Sequence, residues 1–487
     1  MNKKRLLLLL VLLAVVAYIY LRPEQKEPVE STQSTEKPAS MAGDAEVNIL
    51  SVNDMHASID MFPKFAALVD SLRGVYPDLL VFSAGDNRTG NPVNDQYDPV
   101  NYPMTALMNK VGFDACTVGN HEWDAGIANL NNDIKRADFP FLCANVIIPS
   151  TVDLDIKPFV FIENQGVKLA VIGLIEIRHD GIPGSHPDNL KQLSFRRPET
   201  VLPQYKYLKD QNDAVILLSH CGLETDLELA QTNPWLDAIL GGHTHTLVEN
   251  PTEHNGVLVT QAGSHLKHAT LLTLKFKNGK LVGKKATVLD VNAVRKENVE
   301  VAQMVNEFND APVLNEAIAV AKTTFKNSEE LGCMLTDAIR EMSGADFAFQ
   351  NTGGIRINTL KKGPITVKDV YSIDPFNNEV VVYQMTGTQV KRFILNSFRK
   401  NGGYPSYVSG MTYKVSVDGN SVWITKEHGN FSTQQLYKVA MNSYMASTVN
   451  IESEDEGQST FMTSEEMLVA FLRKHKEVDY QGVVRTK

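Results

Sequence analysis

Five short stretches of this 487-residue chain share one design: an apolar run ends, and residues able to hold a hard or borderline metal ion follow at once. They are Asn53-Asp54-Met55-His56, Gly85-Asp86-Asn87, Gly119-Asn120-His121-Glu122-Trp123-Asp124, Ser219-His220 and Gly241-Gly242-His243-Thr244-His245. In extended chain a two-residue spacing aims side chains the same way, so Asp54 can face one point with His56, and His243 with His245. The glycines at 241 and 242 let backbone come close to a ligand. A lone histidine or aspartate is usually structural or solvated. Five such run ends in one chain are not explained that way.

Mixed nitrogen and oxygen donors suit zinc, manganese, cobalt or iron better than calcium, which prefers oxygen alone. The donors outnumber what one catalytic zinc takes, so the pattern predicts two divalent metal ions, with Asp86 as the natural bridge because a carboxylate has two oxygens. Such a pair can lower the pKa of a water molecule and neutralise charge on phosphoryl oxygens.

Positioning these groups requires a sheet whose strand ends converge. Apolar runs at residues 47–52, 79–82, 115–118, 214–218 and 239–240 read as buried strands, and residues 61–73 carry apolar groups at helical spacing. The alternation predicts an α/β domain over residues 46–295. Residues 296–325 read as a linker helix, with Val301, Met304, Val305 and Phe308 on one face and an interruption at Pro312. A second α/β domain is expected over residues 326–487, with a helix near 331–342 and strands near 380–385 and 437–441.

Lys3, Lys4 and Arg5 precede an uncharged apolar stretch over residues 6–21, so residues 1–22 read as an export signal peptide or an uncleaved membrane anchor. The expected location is periplasmic, secreted or anchored to the cell envelope. Residues 23–45, rich in Pro, Glu, Ser, Thr and Gln, read as a disordered tether. The formal net charge of -10 offers no general attraction to nucleic-acid backbones, which excludes a polymeric nucleic acid as partner. Four scattered cysteines make no framework, although an oxidising compartment would allow one or two disulfides.

On these motifs the chain resembles the metallophosphoesterase superfamily, specifically its 5'-nucleotidase and UDP-sugar hydrolase branch, over nearly all of its length beyond the tether. The resemblance implies an N-terminal four-layer αββα sandwich and a C-terminal α/β nucleotidase substrate-binding domain. It implies that Asp54, His56, Asp86 and His245 hold one metal, and that Asp86, Asn120, His220 and His243 hold the other. His121 then resembles the catalytic histidine and Asp124 its orienting carboxylate, roles that also make physical sense, since a carboxylate partner fixes a tautomer and favours imidazolium.

In the second half, Gln350-Asn351-Thr352-Gly353-Gly354-Ile355-Arg356 and Asp374-Pro375-Phe376-Asn377-Asn378 resemble two signatures of the nucleotidase C-terminal domain. Two glycines beside an arginine would alone read as a turn. With the resemblance, Arg356 becomes the group that holds a phosphate or the nucleotide's polar part, assisted by Asn351, Gly354 and Asn377. The resemblance also implies two aromatic rings that clamp a base: Tyr404 or Tyr407 on one side and Tyr444 on the other. After the second ring the family has a GGDG turn, and here residues 447–457 are instead rich in acidic side chains.

The sequence thus predicts an exported phosphohydrolase for a small nucleotide or related phosphate ester. Its rivals are a phosphoesterase for a sugar phosphate or sulfur-containing ester and a non-catalytic surface binding protein.

Overall fold

The computed structural model describes residues 43–179, 181–453 and 455–486. Among them, two six-stranded sheets dominate the N-terminal half. The first runs in the order Lys280–Asp290, His268–Lys277, Asp44–Val52, Leu80–Ser83, Ala115–Thr117, Phe141–Leu142. The second runs Thr252–His254, Val257–Gln261, Ala238–Gly241, Ala214–His220, Val167–Ile175, Phe159–Asn164. Strand Asp44–Val52 lies parallel to Leu80–Ser83, with Ile49 opposite Leu80, and Ala214–His220 lies parallel to Ala238–Gly241.

These central strands are apolar on both faces because each face is covered. Val47, Ile49, Leu80, Phe82 and Ala115 of the first sheet pack with Leu169, Ile216, Leu218 and Leu240 of the second, forming the inner core. The outer face of the first sheet is covered by helices Phe62–Arg73, Tyr102–Val111 and Gly126–Arg136. That of the second packs on Leu229 and Ala230 of helix Leu223–Thr232. The result is a four-layer αββα sandwich. Helix Phe62–Arg73 is held to its sheet by Phe62, Phe65, Ala66 and Val69, buried at helical spacing, and Pro63 sits in its first turn.

The C-terminal half holds a five-stranded mixed sheet in the order Tyr407–Ser409, Phe347–Gln350, Leu436–Asn442, Glu379–Thr386, Gln458–Thr463. Helix Ser328–Ser343 packs on one face and helix Gly387–Lys400 on the other. Asn327 caps the first of these by accepting from Glu330 N at 2.9 Å, and Gly344 ends it with φ +65°.

Four expectations need correction or fall outside view. Residues 296–325 are not one linker helix: the helix spans Val299–Asn309, and Ala317–Ala321 is a strand pairing with Gly363–Thr366 and Glu477–Val478. Val301, Val305 and Phe308 bury against the N-terminal core, so the helix belongs to that half. The first strand begins at Asp44, inside the expected tether. Among the described residues no helix is long and apolar enough to cross a membrane, and the predicted signal or anchor segment lies outside them. Finally, Cys116, Cys143, Cys221 and Cys333 are all free and buried, so no disulfide forms among them.

Candidate metal centre and active site

Each of the five run ends lies where a strand of one of the two sheets stops. Asp54 and His56 follow Asp44–Val52, Asp86 follows Leu80–Ser83, Asn120 and His121 follow Ala115–Thr117, His220 ends Ala214–His220, and His243 and His245 follow Ala238–Gly241. Five of these residues turn their side chains inward through left-handed backbone: φ is 47° at Asp54, 45° at His56, 52° at Asp86, 79° at His243 and 56° at His245. Non-glycine residues are strained in that conformation, and its clustering here marks a site the surrounding fold enforces. Glycine is required at 119, where a Cβ would overlap the Asp86 carboxylate, and at 242, which lies against the Ala84 carbonyl and the His220 ring. Of the two glycines predicted to admit a ligand, Gly242 thus admits the candidate ligands His220 and Asp54, whereas a Cβ at Gly241 would overlap the Asp226 carboxylate.

The side chains converge. Nε2 of His56 and Nε2 of His245 are 2.9 Å apart, and Asp54 Oδ1 is 3.3 Å from His245 Nε2 and 3.9 Å from both His56 and His220 Nε2. Asp86 Oδ2 stands 3.1 Å from His220 Nε2, and Asn120 Oδ1 stands 3.3 Å from His220 Nε2 and 3.0 Å from His243 Nδ1. Asp54-His56-His245 and Asp54-Asp86-His220 each bring their donor atoms within 4.8 Å of one another, as does His56-Asp86-His121.

The donor set fits two cations. His56 Nδ1 donates to the Thr89 carbonyl at 3.0 Å and His220 Nδ1 to the Ala84 carbonyl at 2.7 Å, so each presents a bare Nε2 to the centre when neutral. Asp54 Oδ2 accepts from Asn53 and from the His243 backbone, while Oδ1 is buried without a hydrogen bond. A buried carboxylate oxygen in that state, among imidazole lone pairs, is suited to a cation. Glu122 holds the framework by accepting from the backbone N–H of Asp86, Asn87 and Gly119 at 2.9, 2.7 and 2.6 Å.

His121 Nδ1 lies 2.6 Å from Asp124 Oδ2, and Asp124 also accepts from Thr89 Oγ1 at 2.8 Å and Ser185 Oγ at 3.1 Å. Burial would lower the His121 imidazole, but the carboxylates of Asp124 and Asp86 outweigh it and raise its pKa. Asp86, despite burial, is held well below the usual carboxylate range by His220, His121 and His56. Asp86, Asn120, His121, Asp124, His243 and His245 line a cleft of about 990 Å³ whose opposite wall carries Asn351, Gly354, Arg356, Phe376, Asn377 and Tyr444 from the C-terminal half.

Residues 47–247 match the calcineurin-like phosphoesterase family, and residues 309–450 match the 5'-nucleotidase C-terminal domain. The chain is a metallophosphoesterase with a 5'-nucleotidase C-terminal domain. This metallophosphoesterase is 28% identical over 481 residues to protein UshA of Yersinia enterocolitica, a match covering 85% of this chain and 86% of that one. It is 26% identical over 479 residues to a 5'-nucleotidase of Vibrio parahaemolyticus, covering 85% and 84%. Its fold is similar to that of a 5'-nucleotidase precursor from Thermus thermophilus, with a TM-score of 0.79 at 24% identity, covering 91% of this chain and 99% of that one. The metallophosphoesterase is therefore a metal-dependent phosphoric ester hydrolase that works with two divalent ions.

Its predicted base clamp is not assembled in the cleft. Tyr407 is 7% exposed, packs over Gly332 and donates to Ser328 Oγ at 2.9 Å, so it is core between strand and helix. Tyr404 is 69% exposed and outside the cleft lining. Only Tyr444 of the three lines it, its hydroxyl accepting from Arg178 Nη1 at 2.9 Å. The acidic segment that stands in place of a GGDG turn points elsewhere: Glu452 pairs with Arg392 at 2.6 Å and Asp455 accepts from Gln384 N at 2.5 Å.

Glu122 and Phe376 lie within legible motifs but take their roles only from the fold, and His265 and Glu176 lie outside those motifs. The His265 ring lies 5.2 Å from His56 and 6.1 Å from His245. It follows strand Val257–Gln261, so a sixth run end was there to be read. Glu176 lines the cleft at the end of strand Val167–Ile175, where burial pushes its carboxyl up to about 8 and Gly184 N donates to it at 2.6 Å.

Proposed function

We propose that this metallophosphoesterase is an exported nucleotidase-type phosphohydrolase that cleaves 5'-nucleotides or close phosphate esters, with Asp54, His56, Asp86, Asn120, His220, His243 and His245 as metal ligands. The observation that carries the reading is that Asp86, Asn120, His243, His245 and the His121-Asp124 pair line one cleft with Arg356, while Asp54, His56 and His220 converge on them from the buried side. Two bound cations supply Lewis acidity, acidifying water and neutralising phosphoryl charge. Arg356 offers a fork of N–H donors matched to a phosphate. Asp124 accepts a hydrogen bond from His121 Nδ1–H and favours the imidazolium, whose Nε2–H can give its proton to the departing ester oxygen and leave a neutral ring. Asn351 and Asn377 offer amide donors beside Arg356, and Tyr444 an aromatic face.

The test is phosphate release from nucleoside mono-, di- and triphosphates, a cyclic nucleotide, a nucleotide sugar and a sugar phosphate, with manganese, zinc or cobalt and again after chelation. Chelator-sensitive release from nucleotides is expected. Inertness toward every phosphate ester with all three metals defeats the proposal. Export is part of the reading, on the basic and then apolar residues 3–21; recovery of the full chain from the cytosol of its producing cell contradicts it.

A second reading, a more compact ester without a base, is favoured by Tyr407 lying in the core, Tyr404 outside the cleft and the acidic segment tied to Arg392 and Gln384. It predicts that the sugar phosphate is turned over with a higher kcat/KM than any nucleotide.

A further inference from the structure

The turn Asp374-Pro375-Phe376-Asn377-Asn378 is held from beneath by two fully buried carboxyl groups. Asp374 accepts from Phe376 N at 3.4 Å, from Gln350 Nε2 at 3.2 Å and from Ser464 Oγ at 2.8 Å, and Glu465 accepts from Asn377 N at 2.7 Å. Asn377 occupies left-handed backbone at φ 53°, strain that the two carboxyl groups hold in place. What this fixes in space is the Phe376 side chain, half-buried in the cleft wall.

The Phe376 ring makes two contacts that no other part of the motif makes. Its centroid is 5.8 Å from that of His121 with the planes 29° apart, and the Arg356 guanidinium carbon is 5.7 Å from the same ring centroid. The hydrogen bond from His121 Nδ1 to Asp124 fixes one edge of the imidazole, and the His56 ring meets it edge-on at 5.2 Å, but neither contact is a flat surface against its face. A flat ring stacked on that face limits its tilt. Arg356, resting over the same ring, is oriented by cation–π attraction. One side chain from the C-terminal half thus sets the tilt of an imidazole in the N-terminal half and carries the group that meets the phosphate.

We propose that Phe376 is a positioning residue for the His121-Asp124 pair, aligning His121 Nε2 with the leaving oxygen only when the turn 374–378 is seated against the metal lobe. The inference rests on the reading of His121 as proton donor to that oxygen. The bland alternatives are that Phe376 merely stacks on a substrate base or merely fills space.

The full chain, loaded with manganese, distinguishes them. Adenosine monophosphate needs a proton on its departing oxygen, whereas p-nitrophenyl phosphate leaves well without one. Phe376→Ala is expected to lower kcat about tenfold for the former and less than about twofold for the latter, with KM shifts within about threefold. Phe376→Leu, which keeps apolar bulk without a flat face, should behave like Phe376→Ala at an unchanged thermal midpoint, and Phe376→Tyr should restore activity. In a His121→Ala background, Phe376→Ala should cost nothing more. Equal losses on both substrates, additivity with His121→Ala, or a change confined to KM for the nucleotide overturns the positioning role while leaving the enzyme reading intact. Normal turnover of adenosine monophosphate by His121→Ala would overturn the positioning role together with the reading of His121 as proton donor, and leave the enzyme reading standing.

Discussion

On the metal side of the cleft the site groups are gripped from behind, whereas on the C-terminal side the groups proposed to meet substrate have fewer such supports. Behind the metal centre His56 leans on the Thr89 carbonyl, His220 on the Ala84 carbonyl, and the Asp86 loop on Glu122. Across the cleft, Arg356 rests on a ring, Tyr444 reaches Arg178, and Tyr404 stands in solvent. Cation binding tolerates few donor types and little displacement, so its supports are rigid. Holding an organic group can be done by many surfaces, so its parts are free to drift.

The strongest test of the rigid side is Asp86→Asn. It keeps the shape but removes the charge shared between the two clusters, so phosphate release should fall at least about 100-fold and bound metal, measured by elemental analysis, should drop. Near-normal turnover with full metal content would mean that the centre does not depend on this carboxylate. On the opposite wall Arg356→Ala should raise KM about 10- to 100-fold with a smaller change in kcat, from loss of charged hydrogen bonds to phosphate. Arg356→Lys should recover little of it, because the fork is gone. If kcat falls instead, Arg356 serves the reaction and not capture, and the two walls are less different than they look.

The rings set a finer test. Tyr444→Ala is expected to raise KM for a nucleoside monophosphate about tenfold, at the scale of one base stacked on one ring. Tyr404→Ala, at an exposed position outside the cleft, should change it less than about twofold. An equal effect at Tyr404 would show that the cleft recruits that ring when substrate arrives. No effect at Tyr444 would favour the compact, base-free ester.

The same contrast explains what the chain disclosed of itself. Apolar strands ending in donors are local features, and runs 47–52, 115–118 and 214–218 fell on strands Asp44–Val52, Ala115–Thr117 and Ala214–His220. The seven candidate donors stood out because few residue types bind a metal. Ala317–Ala321 was not readable as a strand, since its partners lie at 363–366 and 477–478 and its small alternating residues resemble a helix's continuation. Tyr407 misled because what buries it, Gly332 and the pairing with Gln350, is far away in sequence. Phe376 gained its role from His121, a residue of the other half.

The smallest expected effect tests whether the turn 374–378 is as firmly held as its contacts suggest. Burial raises the Asp374 carboxyl to about 6, and burial together with the nearby Asp374 raises Glu465 well above its usual value. Tyr371, packed nearby, adds no cation to relieve them. A folded-state pKa above the unfolded value means the folded protein holds extra protons. The associated stability is present below about pH 4, where unfolded carboxyl groups titrate, and is lost as pH rises through 6 and beyond. Glu465→Gln can keep the contact to Asn377 N while removing one of the two acids. Its thermal midpoint, compared with that of the unaltered chain across pH 5 to 8, should therefore fall less steeply, with the variant gaining about a degree or more by pH 8, since about 1 kcal/mol shifts the midpoint by roughly one degree at this chain length. Parallel curves would mean that the two carboxyl groups ionise freely, and that the turn owes its shape to something other than this buried pair.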